Sequence, residues 1–102
     1  MIKNNQDYLN ILRNISKNSK LNQRKLAKNL GFSLGKLNYC LNALKNKGLV
    51  KMKNFKKNPK KINYFYTLTT KGLSEKTKLT INFMQRKMEE YDELKRELNK
   101  DK

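Results

Sequence analysis

The chain has 102 residues, 25 of them Lys or Arg against 8 Asp or Glu, a formal net charge of +17, one cysteine and no histidine. That length suits one small domain plus an extension, with a core small enough for dimerisation to be a natural supplement. A single cysteine excludes an intrachain disulfide, and without histidine the usual general base and the usual zinc ligand are missing, so metal and redox roles are poorly supported.

The charge is unevenly placed. From Tyr8 to Ser74, 67 consecutive residues contain no Asp or Glu but 16 Lys or Arg. Cations at that density repel one another and are tolerated mainly when a polyanion such as nucleic acid supplies the missing charge. Seven of the eight acids lie at Glu75 or beyond, among eight basic residues. An AT-rich coding bias accounts for part of the Lys and Asn content, but it does not clear acids from one half and gather them in the other. No apolar run approaches the roughly 20 residues of a membrane span, and Met1 to Asp7 lack a signal-peptide core, so no membrane role is expected and the default address is cytoplasmic.

In chain order, the pattern predicts a first helix from about Asn5 to Asn18, with Asp7 in its first turn and Tyr8, Leu12 and Ile15 on one face. A second follows over Gln23 to Leu30, capped by Asn22, with an apolar stripe of Leu26, Ala27 and Leu30, and is stopped by Gly31. Ser33 is the expected cap of a third helix, Leu34 to about Lys47, in which Leu37, Leu41 and Leu44 share a face beside Cys40 and Gly48 ends the run. The opposite face carries Lys36, Asn38, Tyr39, Asn42, Lys45 and Asn46, with no acid among them. Two helices joined by a short glycine-led turn match the helix-turn-helix, whose second helix enters the major groove; a generic helical hairpin is the plainer reading.

Leu49 to Lys53 and Ile62 to Leu68 read as two strands, and Asn54 to Lys61 as the loop between them. Lys56, Lys57, Lys60 and Lys61 around an Asn-Pro turn suit a hairpin tip that reaches phosphates or the minor groove, although a merely solvated loop has the same composition. After Thr69-Thr70-Lys71-Gly72, with Thr70 the expected cap, an uninterrupted segment repeats Thr77, Ile81, Met84, Met88, Tyr91, Lys95 and Leu98 at steps of four and three, with Leu94 beside them. This is a marginal coiled coil, weakened by Thr77 and Lys95, whose simplest closure is a twofold dimer. The alternative is that the helix folds back on its own domain.

The expected fold is therefore mainly α with a small β-hairpin: a winged helix-turn-helix domain over 1–72, followed by a long C-terminal dimerisation helix over 73–102. Gln23-Arg24-Lys25-Leu26-Ala27, Ser33-Leu34-Gly35-Lys36-Leu37-Asn38-Tyr39, Lys47-Gly48-Leu49-Val50 and Tyr64-Phe65-Tyr66-Thr67-Leu68-Thr69 with Lys71-Gly72 carry a resemblance to MarR-type winged helix-turn-helix regulators. Within them, the chain is similar to the short exopolysaccharide-associated subgroup. The resemblance spans about three quarters of the sequence, from Asn22 to Leu98. It implies a homodimer on a pseudo-palindromic operator, usually a repressor, and in the subgroup control of surface polysaccharide genes. The family's longer members have more helical material around a pocket for small phenolic ligands; here that material is short, which puts a small-molecule effector in doubt.

The division of labour expected from the chemistry places Lys36, Asn38, Tyr39 and Asn42 on base edges, with Arg24, Ser33, Lys45 and the four hairpin lysines on phosphates. Gly35, lacking a side chain near the helix start, would let the backbone approach the duplex. Ile81, Met84, Met88, Tyr91, Leu94 and Leu98 form the expected dimer seam. Cys40, beside the leucine stripe, reads as a buried thiol rather than a redox sensor. Rival readings are a small RNA-binding or ribosome-associated protein and a protein-interaction adaptor. An enzyme has no support, since neither a nucleophile-base pair nor a phosphate-cradling glycine loop is present, and no cofactor is implied.

Overall fold

The structure is a computed structural model that describes residues 5–18, 21–58 and 61–101, and within 55–63 only the backbone of the strands. The chain runs α1 (Asn5–Lys17), α2 (Gln23–Leu30), α3 (Leu34–Asn46), β1 (Val50–Asn58), β2 (Lys61–Leu68) and α4 (Thr70–Lys100). The core is where three helices meet the root of the hairpin. Tyr8, Ile11, Leu12 and Ile15 of α1 pack with Leu26 and Ala27 of α2, Leu37, Cys40, Leu41 and Leu44 of α3, and Leu49, Val50 and Tyr66. Full burial of each such leucine or isoleucine contributes on the order of 1.5–3 kcal/mol. Leu9 is buried as well, on the side where α1 meets Leu79 of α4, so the apolar face of α1 is wider than the stripe read from spacing alone.

Local chemistry explains where α2 and α3 begin and end. The Lys25 N–H donates to Asn22 Oδ1 at 2.8 Å and the Lys36 N–H to Ser33 Oγ at 3.1 Å, two N-caps of the kind worth about 1 kcal/mol each. Both helices close in the same way at their C-termini. Gly31 and Gly48 sit at φ +70° and +74°, the Gly31 and Phe32 N–H groups donate to the Lys28 and Ala27 carbonyls, and the Gly48 and Leu49 N–H groups to those of Lys45 and Leu44. This paired pattern is the Schellman motif, and its left-handed residue is nearly cost-free only for glycine.

Strands β1 and β2 pair antiparallel, with Val50 opposite Leu68, Met52 opposite Tyr66 and Asn54 opposite Tyr64, and an irregularity between Lys56 and Asn58. Pairing extends further than expected: β1 continues to Asn58 and β2 starts at Lys61, so Lys56, Lys57 and Lys61 belong to strands rather than to a loop. A two-stranded ribbon is all edge, and lysines are well tolerated there because the backbone ladder does not depend on them. The expected Asn-Pro turn at Pro59, with Lys60, lies outside the described residues, as do the side chains of Lys56, Lys57 and Lys61.

Helix α4 starts at Thr70, and its cap is Thr69 rather than Thr70. Thr69 is extended, its Oγ1 accepts from the Gly72 N–H at 2.9 Å, and the same hydroxyl donates to the Gly48 carbonyl at 2.6 Å. The Thr69 N–H also donates to the Leu49 carbonyl at 3.0 Å. A Cβ on Gly72 would collide with that Leu49 carbonyl oxygen. One knot of backbone thus joins the end of α3, the exit of β2 and the start of α4.

Helix α4 seats through half-buried Glu75, Lys76, Leu79, Thr80 and Phe83, and every residue from Met84 to Asp101 is exposed. At about 1.5 Å per residue its 31 residues reach about 46 Å, which makes the molecule 69 Å long and only 25 Å across. The heptad residues lie on another side of α4 from the seating stripe, and Ile81, Met84, Met88, Tyr91, Leu94 and Leu98 keep 50–65% of their surface in solvent. The chain does not fold this stripe back onto itself. No helix among the described residues is long and apolar enough to cross a membrane.

Candidate nucleic-acid interface

Helix α3 turns one side to the core and the other to solvent. At about 100° per residue, Gly35, Tyr39, Asn42 and Asn46 stand opposite the buried Leu37, Leu41 and Leu44, with Asn38 and Lys45 on one shoulder and Lys36 on the other. All of these non-core residues are exposed, and Tyr39 keeps 66% of its surface in solvent. Arg24 and Ser33 are exposed as well. Because the Ser33 hydroxyl oxygen accepts the Lys36 N–H in the cap, its own O–H stays available to donate to a phosphate. A Cβ on Gly35 would meet nothing within 4 Å, so the backbone of the first turn of α3 is open to an approaching surface.

Two parts of the site escape a reading by composition. The first is a groove of about 490 Å³ lined by Asn22, Gln23 and Arg24 at the start of α2, by Leu34, and by Met52, Tyr64 and Tyr66 on the inner face of the hairpin. Its signal in the sequence is Leu34, a leucine at the start of α3 that falls off the buried stripe and is 46% exposed. The second is the setting of Lys36. Its ammonium lies 3.2 Å from Asp7 Oδ2 on α1 and 4.2 Å from the centre of the Phe32 ring, so it points back along the α1 side of α3 rather than straight outward. Asp7 is the sole acid before Glu75, and its spacing to Lys36 in sequence carries no hint of the contact.

Cys40 is 3% exposed. Burial, with the Asp7 carboxylate adding to it and Lys36 opposing, holds its thiol above the ordinary range, which suits packing rather than nucleophilic chemistry. Burial also raises Tyr66.

Three helices, a two-stranded hairpin and a solvent-facing third helix without acids define a winged helix-turn-helix, and residues 9–51 match the family model described as winged helix-turn-helix DNA-binding. Among solved structures, the chain resembles MarR-type regulators. AbsC, a MarR family transcriptional regulator from Streptomyces coelicolor, superposes with a TM-score of 0.70 at 23% identity over 87% of this chain and 60% of its own. MepR, a transcription regulator of the Staphylococcus aureus multidrug efflux pump MepA, gives 0.65 at 20% over 92% and 74%. The PcaV transcriptional regulator of Streptomyces coelicolor, solved with its natural ligand, gives 0.68 at 17% over 76% and 54%. The chain thus spans between about half and three quarters of the length of these neighbours. A comparison with curated protein sequences gives no match.

Proposed function

We propose that the protein is a sequence-specific double-stranded DNA-binding transcriptional regulator of the MarR type, acting as a homodimer and as a repressor. The observation that carries this is the outward side of α3, where Gly35, Asn38, Tyr39 and Asn42 are exposed on a helix anchored by a buried leucine stripe. Asn can pair bidentately with adenine, and Tyr39 offers an aromatic face and a hydroxyl. Arg24, Ser33 and Lys45 would anchor the flanking phosphates, and the groove lined by the start of α2, Leu34 and the hairpin, which includes Arg24, supports a course for the sugar-phosphate backbone there. Lys56, Lys57, Lys60 and Lys61 add cations along the wing. The exposed seam of α4 supplies the twofold contact. Surface polysaccharide genes are the targets that fit the subgroup resemblance.

Two measurements test the reading. Selection of bound duplexes from a random pool should return a pseudo-palindrome, and Asn38→Ala or Tyr39→Ala should lower the preference for it over random duplex, whereas Lys45→Ala should weaken both alike. With roughly 6–10 phosphate contacts per dimer, affinity should drop about a thousandfold or more between 50 and 200 mM salt. A flat salt response, or a preference for RNA over duplex DNA, defeats the proposal.

A further inference from the structure

Among the described residues of the recognition helix, Lys36 is the cation held in an ion pair in the unbound protein. Its ammonium rests between the Asp7 carboxylate at 3.2 Å and the Phe32 ring at 4.2 Å, with the two charged side chains 45% and 22% exposed. Asp7 lies in the first turn of α1, where the positive end of the helix dipole favours a negative charge. No other acid stands within the first 74 residues, so the lone negative charge of the basic half is the one that meets this lysine. Lys47, at the end of α3, leans the same way, 5.5 Å over the Tyr8 ring.

We infer that Asp7 is a positioning residue for DNA recognition: it withholds Lys36 from the phosphates of non-cognate duplex. The inference rests on the DNA-binding reading above. A solvent-exposed pair of this kind shifts an equilibrium by at most about fivefold, enough to hold the ammonium aside against a single screened phosphate but not against a base edge that offers two acceptors at once, as guanine does. Lys36 is then released where the sequence rewards it and held back where it does not. Phe32 contributes by giving the lysine stem and ammonium a surface to rest on, so the held position does not depend on Asp7 alone.

The test is a double-mutant cycle on random-sequence duplex DNA, with affinity measured against salt for wild type, Asp7→Asn, Lys36→Met and the double variant. Asp7→Asn should bind about three- to tenfold tighter than wild type, with a salt slope steeper by about 1.8 because the two freed Lys36 side chains of the dimer each neutralise one more phosphate. Lys36→Met should abolish that gain, so that the effects of the two substitutions are non-additive. Asp7→Glu, which keeps the charge, should bind as wild type does, and circular dichroism of every variant reports its folding. Tighter binding by Asp7→Asn that survives Lys36→Met would mean that Asp7 acts only as a repelling charge and overturns the inference. So would an unchanged Asp7→Asn when wild type binds duplex. Wild type that binds no duplex at any salt would refute the DNA-binding reading itself.

Discussion

Gly35 and Gly72 each lie in the first turn of a helix, yet their surroundings are opposite. Around Gly35 there is open space, so Gly35→Ala should gain up to about 1 kcal/mol of helix propensity. A stabilised protein with weakened DNA binding would identify the missing side chain as room for the duplex. At Gly72 the same substitution drives a methyl group into the Leu49 carbonyl, and overpacking of about 1–3 kcal/mol should outweigh the propensity gain. Thermal unfolding should show the Gly72→Ala midpoint several degrees lower. Cys40 offers a third check at this scale. Buried and with its thiol pushed up, it should react slowly with an aromatic disulfide reagent in the native protein and rapidly in denaturant. Because the thiolate is the reactive form and its folded pKa is raised, the native rate should still be climbing with pH above the ordinary thiol range.

Among the elements, α4 depends most on one side chain. Thr69→Val keeps the shape but deletes the acceptor for Gly72 N–H and the donor to the Gly48 carbonyl, so a loss of about 1–2 kcal/mol is expected, with faster amide exchange in the first turn of α4. The helices and their caps at Asn22, Gly31, Ser33 and Gly48 are legible in the sequence because each is set by neighbours within a few residues. The cap of α4 falls one residue away from its expected place because Thr69 and Thr70 are equivalent in sequence, and only the bonds to Gly48 and Leu49, some 20 residues away, distinguish them. For the same reason the hairpin is longer than its sequence suggests: lysine runs look like loop until a partner strand is opposite. The exposed side of α3 is readable from its period, whereas the Asp7 to Lys36 contact, made between α1 and α3, and the groove beneath Leu34, made between the start of α2, the start of α3 and the strands, are products of tertiary packing, which a period cannot report.

At the scale of the molecule, α4 carries two stripes with different duties. Leu79 and Phe83 seat it on its own domain, while Ile81, Met84, Met88, Tyr91, Leu94 and Leu98 remain in solvent. Apolar side chains aligned along an extended helix favour covering by a second copy, so Met84→Glu with Met88→Glu should give monomers in sedimentation and lower operator affinity by orders of magnitude, while leaving the unfolding of the winged domain nearly unchanged. A dimeric double variant would relocate the interface.

The knot at Gly72 also bears on geometry. In the proposed dimer each α4 is a beam some 46 Å long, set at its first turn against the Leu49 carbonyl. A tilt of only a few degrees there becomes, at the far end, a displacement comparable to the step of about 3.4 Å between stacked bases. The distance between two half-sites would therefore be gauged by the absence of one methyl group, so a change at this contact would alter which operator spacing fits while leaving every base-reading side chain as it was.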